Sequence, residues 1–96
     1  MKILAIDHLL PGKTFDDVKP HLRNEAEKAW KLYEKGVFRE LYMRGGKPGA
    51  VVVLECRDVE EARSIMADLP LVREKIIEFD FMALEPFTPF ASLFAR

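Results

Sequence analysis

Ala50-Val51-Val52-Val53-Leu54-Glu55-Cys56 is the stretch whose reading decides the fold of this 96-residue chain. Its five successive apolar residues, mostly β-branched, read as a strand. A strand packed on one face alternates apolar and polar positions. This one does not until Glu55, which implies burial on both faces. Residues 2–8 carry a second run of the same kind, Ile3-Leu4-Ala5-Ile6, closed by Pro11-Gly12.

Working outward, residues 14–35 read as a helix with an irregular start. Pro20 suits a first helical turn, so the main helix is expected from about Lys19. Leu22, Ala26, Ala29, Trp30 and Tyr33 share one stripe, expected to be core, and Gly36 is the stop. Residues 37–44 predict a strand joined to the opening strand by the hairpin Gly45-Gly46-Lys47-Pro48-Gly49. Pairing Arg44 with Ala50 sets Arg39 opposite Glu55 and Leu41 opposite Val53; a one-residue slip abolishes that match. Asp58 and Glu61 form a capping-box pattern ahead of the stripe Val59, Ala62, Ile65, Met66 and Leu69, which Pro70 ends. The last strand, 76–84, puts Ile77, Phe79, Phe81 and Ala83 on one face, with Glu78, Asp80 and Met82 on the other.

The order βαββαβ predicts a ferredoxin-like α+β fold with a four-stranded antiparallel sheet, first and third strands central. Two helices cover one sheet face only. The other would expose on the order of several hundred Å2 of apolar surface, so two copies are expected to pair face to face as a dimeric α+β barrel enclosing a pocket. Residues 1–86 form this domain. Residues 87–96, with Phe87, Phe90, Leu93 and Phe94, form an apolar tail expected to dock on its own subunit or a neighbour.

A net charge of −1 gives no reason to expect nucleic acid or a membrane surface. Cys56 stands alone, so neither an internal disulfide nor a cysteine zinc cluster is available. His8 and His21 do not make a metal site by themselves. No apolar run approaches the roughly 18 residues of a membrane span, and the start lacks a signal-peptide pattern, so a cytoplasmic protein is expected.

Phe38-Arg39-Glu40-Leu41-Tyr42-Met43-Arg44, the strand to Glu55, Asp58-Val59-Glu60 and Leu69-Pro70-Leu71 together resemble the muconolactone Δ-isomerase-like family. The resemblance spans roughly residues 37–84, and Leu-Pro-Leu after the second helix is its most specific element. It implies dimers that build larger rings and isomerisation of an unsaturated lactone without metal or cofactor. In such a reaction a base removes a proton beside the carbonyl and returns it further along the conjugated system.

The candidate residues each carry two readings. Glu55 is either a proton-transfer base in a dry cavity or a strand-end ion pair with Arg39. Arg39 either binds a substrate carboxylate through two parallel hydrogen bonds or pairs with an acid. His8 is a proton shuttle or a solvent-facing strand end; Asp7 points the other way, so only one of the two faces the cavity. The Tyr42 hydroxyl polarises a carbonyl, or the ring merely packs. Glu78 and Asp80 are paired carboxylates or a solvated edge. A small cofactor-independent isomerase-like enzyme acting on an unsaturated lactone or related carbonyl compound, with or without a carboxylate, is the leading expectation. A non-catalytic oligomeric ligand-binding or scaffold protein and a cofactor-free oxygenase are the alternatives.

Overall fold

The computed structural model describes residues 1–95. Four strands, β1 (Lys2–Leu9), β2 (Phe38–Met43), β3 (Ala50–Glu55) and β4 (Ile77–Leu84), form one antiparallel sheet in the order β2-β3-β1-β4. The two strands with unbroken apolar runs are therefore the central pair. Helix α1 (Phe15–Val18) passes through a 3-10 turn, Lys19–His21, into α2 (Leu22–Glu34). Pro20 lies in that turn, which is why the helical segment breaks there. Helix α3 (Val59–Ala67) is followed by the short α4 (Pro70–Arg73) and, after β4, by a 3-10 helix at Thr88–Leu93.

Register assigns the faces. Ile3 opposite Leu54 and Ala5 opposite Val52 point toward the helices, where they are buried with Phe38, Ala62, Met66 and Leu69. Leu4 opposite Val53 and Ile6 opposite Val51 point to the other, uncovered face and are only half-buried. Helix α3 docks as its stripe requires, with Ala62 and Met66 buried. The Asp58 carboxylate caps it, accepting the Glu61 N–H at 2.8 Å, while Glu61 reaches back to the Arg57 N–H at 2.9 Å.

Two expectations need correction. The hairpin register is one residue off: Leu41 pairs with Val52 and Glu40 with Val53, and a bulge at Arg39 lets Phe38 meet Leu54. Arg39 therefore does not face Glu55. On α2 the inward residues are Ala29 and Leu32, whereas Leu22, Trp30 and Tyr33 lie largely exposed, Trp30 at 59%. In the tail Phe87, Phe90, Leu93 and Phe94 are all exposed, Phe94 at 82%. With the tail extended, the molecule measures 58 × 29 × 21 Å.

Candidate active site

A cavity of about 450 Å3 opens between the helix-facing side of the sheet, the α1–α2 segment and the β2–β3 hairpin. Leu9, Phe15, Val18, Met43, Leu71 and Ile77 make most of its wall apolar. Two acids interrupt that wall, Asp7 from β1 and Glu25 from α2.

Asp7 sits two residues beyond Ala5 on the helix-facing side of β1, opposite Phe79, and is 8% exposed. Burial pushes its carboxyl above the ordinary value of 3.8, although the Ala50 amide and the charges of Arg44 and His8 pull the other way. The hairpin closes tightly over this group. Gly49 holds φ +137, and a Cβ there would lie 2.7 Å from Asp7 Oδ1 and 2.9 Å from Arg44 Cδ, so the position needs glycine. Arg44 Nη1 donates to the Asp7 backbone carbonyl at 3.2 Å, tying the hairpin to β1 at the cavity's edge.

Glu25 lies one turn before Ala29 and two before Leu32, on the inner side of α2. Its Oε1 accepts the Leu71 N–H at 3.0 Å, linking α2 to α4. Burial raises its proton affinity above the ordinary 4.5; the Leu71 amide opposes this, and the Asp7 charge adds to it. Two carboxyls that both favour the proton, Glu25 also under the charge of Asp7, form a site able to give and take one proton.

The other candidates lie elsewhere. His8 points to the uncovered face, its Nε2 2.9 Å from Glu78 Oε1 and its Nδ1 3.4 Å from Asp80 Oδ2. Of the neighbours Asp7 and His8, it is Asp7 that reaches the helix-side cavity. Glu55 ends β3 on the uncovered side, and its Oε2 meets the Met1 ammonium at 2.6 Å. That hydrogen bond draws its pKa down, the reverse of the shift a cavity base needs. The Tyr42 hydroxyl donates to Glu40 Oε1 at 2.8 Å, which raises the phenol's pKa. Arg39 Nε donates to the Gly36 carbonyl and borders an open groove with Trp30 and Tyr33 on the outer side of α2. Glu25 escaped the sequence reading. Its signal was the spacing 25, 29, 32, an acid on the weaker of two apolar stripes.

Sheet order and helix placement define a ferredoxin-like α+β protein. Its fold is that of muconolactone isomerase: a crystal structure of that enzyme superposes with a TM-score of 0.64 at 21% identity, covering 91% of this chain and 93% of that one. A 5-chloro-2-hydroxyhydroquinone dehydrochlorinase from Burkholderia phenoliruptrix AC1100, in complex with 2,5-dihydroxybenzoquinone, superposes with a TM-score of 0.64 at 14% identity, over 88% of this chain and 94% of that one. No protein-family model and no curated protein matches the sequence. The likeness drawn from residues 37–84 thus holds as a likeness of fold across most of the chain. No helix among the described residues is long and apolar enough to cross a membrane.

Proposed function

We propose that the protein is a cofactor-independent enzyme moving a proton within a small unsaturated carbonyl compound, such as a lactone, as a homo-oligomer in the cytoplasm. One observation carries it: two carboxyls, the buried Asp7 and the half-buried Glu25 that feels its charge, in an otherwise apolar cavity of substrate size. Asp7 has the Ala50 amide and the charges of Arg44 and His8 on its side, and so acts as the ionised base. Glu25, raised further by that charge, holds the proton. Asp7 breaks the C–H bond beside the carbonyl and takes its proton; the electron pair moves into the conjugated enolate. Glu25 then delivers its proton to the far carbon of that system, and the double bond shifts. Nothing is oxidised or reduced, and the pair ends with its proton exchanged.

Glu55, His8, Tyr42 and Arg39, expected from sequence to carry this chemistry, line other surfaces, and only Asp7 of the expected set is assigned here. The face-to-face dimer stays part of the proposal through the uncovered Leu4, Ile6, Val51 and Val53. The chemistry is placed on the helix side of the sheet instead of between sheets.

α-Angelica lactone, whose double bond moves into conjugation by one proton shift, is the test substrate. Ultraviolet absorbance should report its conversion, with Asp7→Asn and Glu25→Gln each slowing the enzyme about 100-fold or more. Tight lactone binding without turnover in wild type would instead favour the non-catalytic binding protein.

A further inference from the structure

We infer that the Asp7–Glu25 cavity takes an uncharged, largely apolar carbonyl compound and turns anions away; this rests on the proton-transfer reading above. Among the described residues that line the cavity the only ionisable side chains are Asp7 and Glu25, and neither is a cation. The guanidinium of Arg44 is directed to the Asp7 backbone carbonyl, and Arg39 belongs to the groove on the other side of α2.

The electrostatics already run against negative charge. Burial raises the proton affinity of both acids, and the Asp7 charge raises Glu25 again. A ligand carboxylate placed about 5 Å from an ionised Asp7 would be repelled enough to weaken binding on the order of 100-fold. The Leu71 N–H is already held by Glu25, and Arg44, which bonds the Asp7 carbonyl at the cavity's edge, is not among the residues lining it. The remaining wall, Leu9, Val18 and Ile77 among it, offers contact to a ring or chain but nothing to an anion.

A cationic ligand fails for a different reason. It would hold both acids ionised and paired, and the protonated member needed to complete the shift would be lost. A neutral carbonyl compound leaves one acid charged and one protonated, the state in which the pair can work. Arg39 is accordingly not the anchor of a substrate carboxylate, and a substrate that carries one would have to keep it outside the cavity.

Three probes of matched size separate the cases: α-tetralone, tetralin-1-carboxylate and 1-aminotetralin, titrated at pH 7 with the amide signals of Gly49, Ala50 and Leu71 as reporters. The ketone is expected to shift all three amides, with the carboxylate weaker by about 100-fold. In the Asp7→Asn/Glu25→Gln protein that gap should shrink to a few-fold, and each single variant should narrow it. Carboxylate binding as tight as the ketone overturns the inference, as does a gap that survives in a folded double variant, whereas amine binding, held by two ionised acids, supports the acidic cavity. Silence of these amides with all three probes overturns the inference together with the cavity reading. Exchange of the ketone's α-hydrogens in deuterated water is read separately. Selective ketone binding without exchange sinks proton transfer but leaves the ligand preference standing.

Discussion

Asp7 and Glu25 must be kept away from much of their water for the cavity to exist, and pH reads out what that costs. In the folded chain both carboxyls hold their protons more tightly than the ordinary 3.8 and 4.5, with burial the main cause. An acid shifted upward contributes stability below its unfolded pKa, and that contribution is lost as pH rises through the raised folded value. At pH 7, where the unfolded chain ionises both acids freely, the fold therefore bears the cost of a site that disfavours their charge. Asp7→Asn and Glu25→Gln should each stabilise the protein at pH 7, on the order of 1 kcal/mol, and lose that advantage by about pH 4. Urea midpoints at the two pH values measure it; variants destabilised at pH 7 and less so at pH 4 would show that the carboxylates are held by attraction. Glu55 runs the opposite way. Its pKa is drawn down by the Met1 ammonium, so its contribution is present above its unfolded pKa and fades as pH falls through the lowered folded one. Proton-carrying residues that weaken their own fold are what a working site leads one to expect.

Among the elements, α2 and the β2–β3 hairpin decide what is near what. The bulge at Arg39 slips the hairpin so that Glu40 and Tyr42 share the uncovered face with Val53 and Val51. Arg39 is left bonded to the end of α2. Since Glu55 bonds Met1 and feels the Arg39 charge only as a lesser influence, Arg39→Ala and Glu55→Gln should act nearly additively on thermal stability. A double-mutant cycle tests this, and a clear coupling between the two would restore the ion pair. The fold was legible from sequence because strands announce themselves by period and order: two unbroken apolar runs, a proline–glycine punctuation and a capped second helix place β1, β3 and α3 correctly. The hairpin register was not, because a bulge adds a residue without leaving a compositional mark. The site was half legible. Asp7 is legible as the acid near the end of an apolar strand, although sequence alone does not say which face of the sheet it takes. Glu25 is masked because Trp30 and Tyr33 make the outer stripe of α2 the more apolar one, while Ala29 and Leu32 face the core.

For the whole molecule, apolar surface is left over in two places. The uncovered sheet face carries Leu4, Ile6, Val51 and Val53 along its centre, ringed by His8, Glu78 and Asp80 at one end and Glu55 at the other. The tail carries Phe87 and Phe90, packed edge to face with centroids 4.8 Å apart, then Leu93 and Phe94. Its extension raises the radius of gyration to 15.6 Å, whereas a compact chain of this length would have about 12–13 Å. Water tolerates neither surface well, and the two point to separate contacts between copies: sheet faces pairing into a dimer, tails reaching onto neighbouring subunits. Light scattering at micromolar concentration should return at least twice the 11.1 kDa of one chain. Val51→Glu, placed at the centre of the sheet face, should break the pair while leaving the helix-side cavity and its tetralone binding intact. Removing residues 87–96 should leave the pair and abolish anything larger. A wild-type monomer would overturn both contacts at once. A tail-less monomer would mean that the tail holds the pair together, since the sheet face remains whole in that variant.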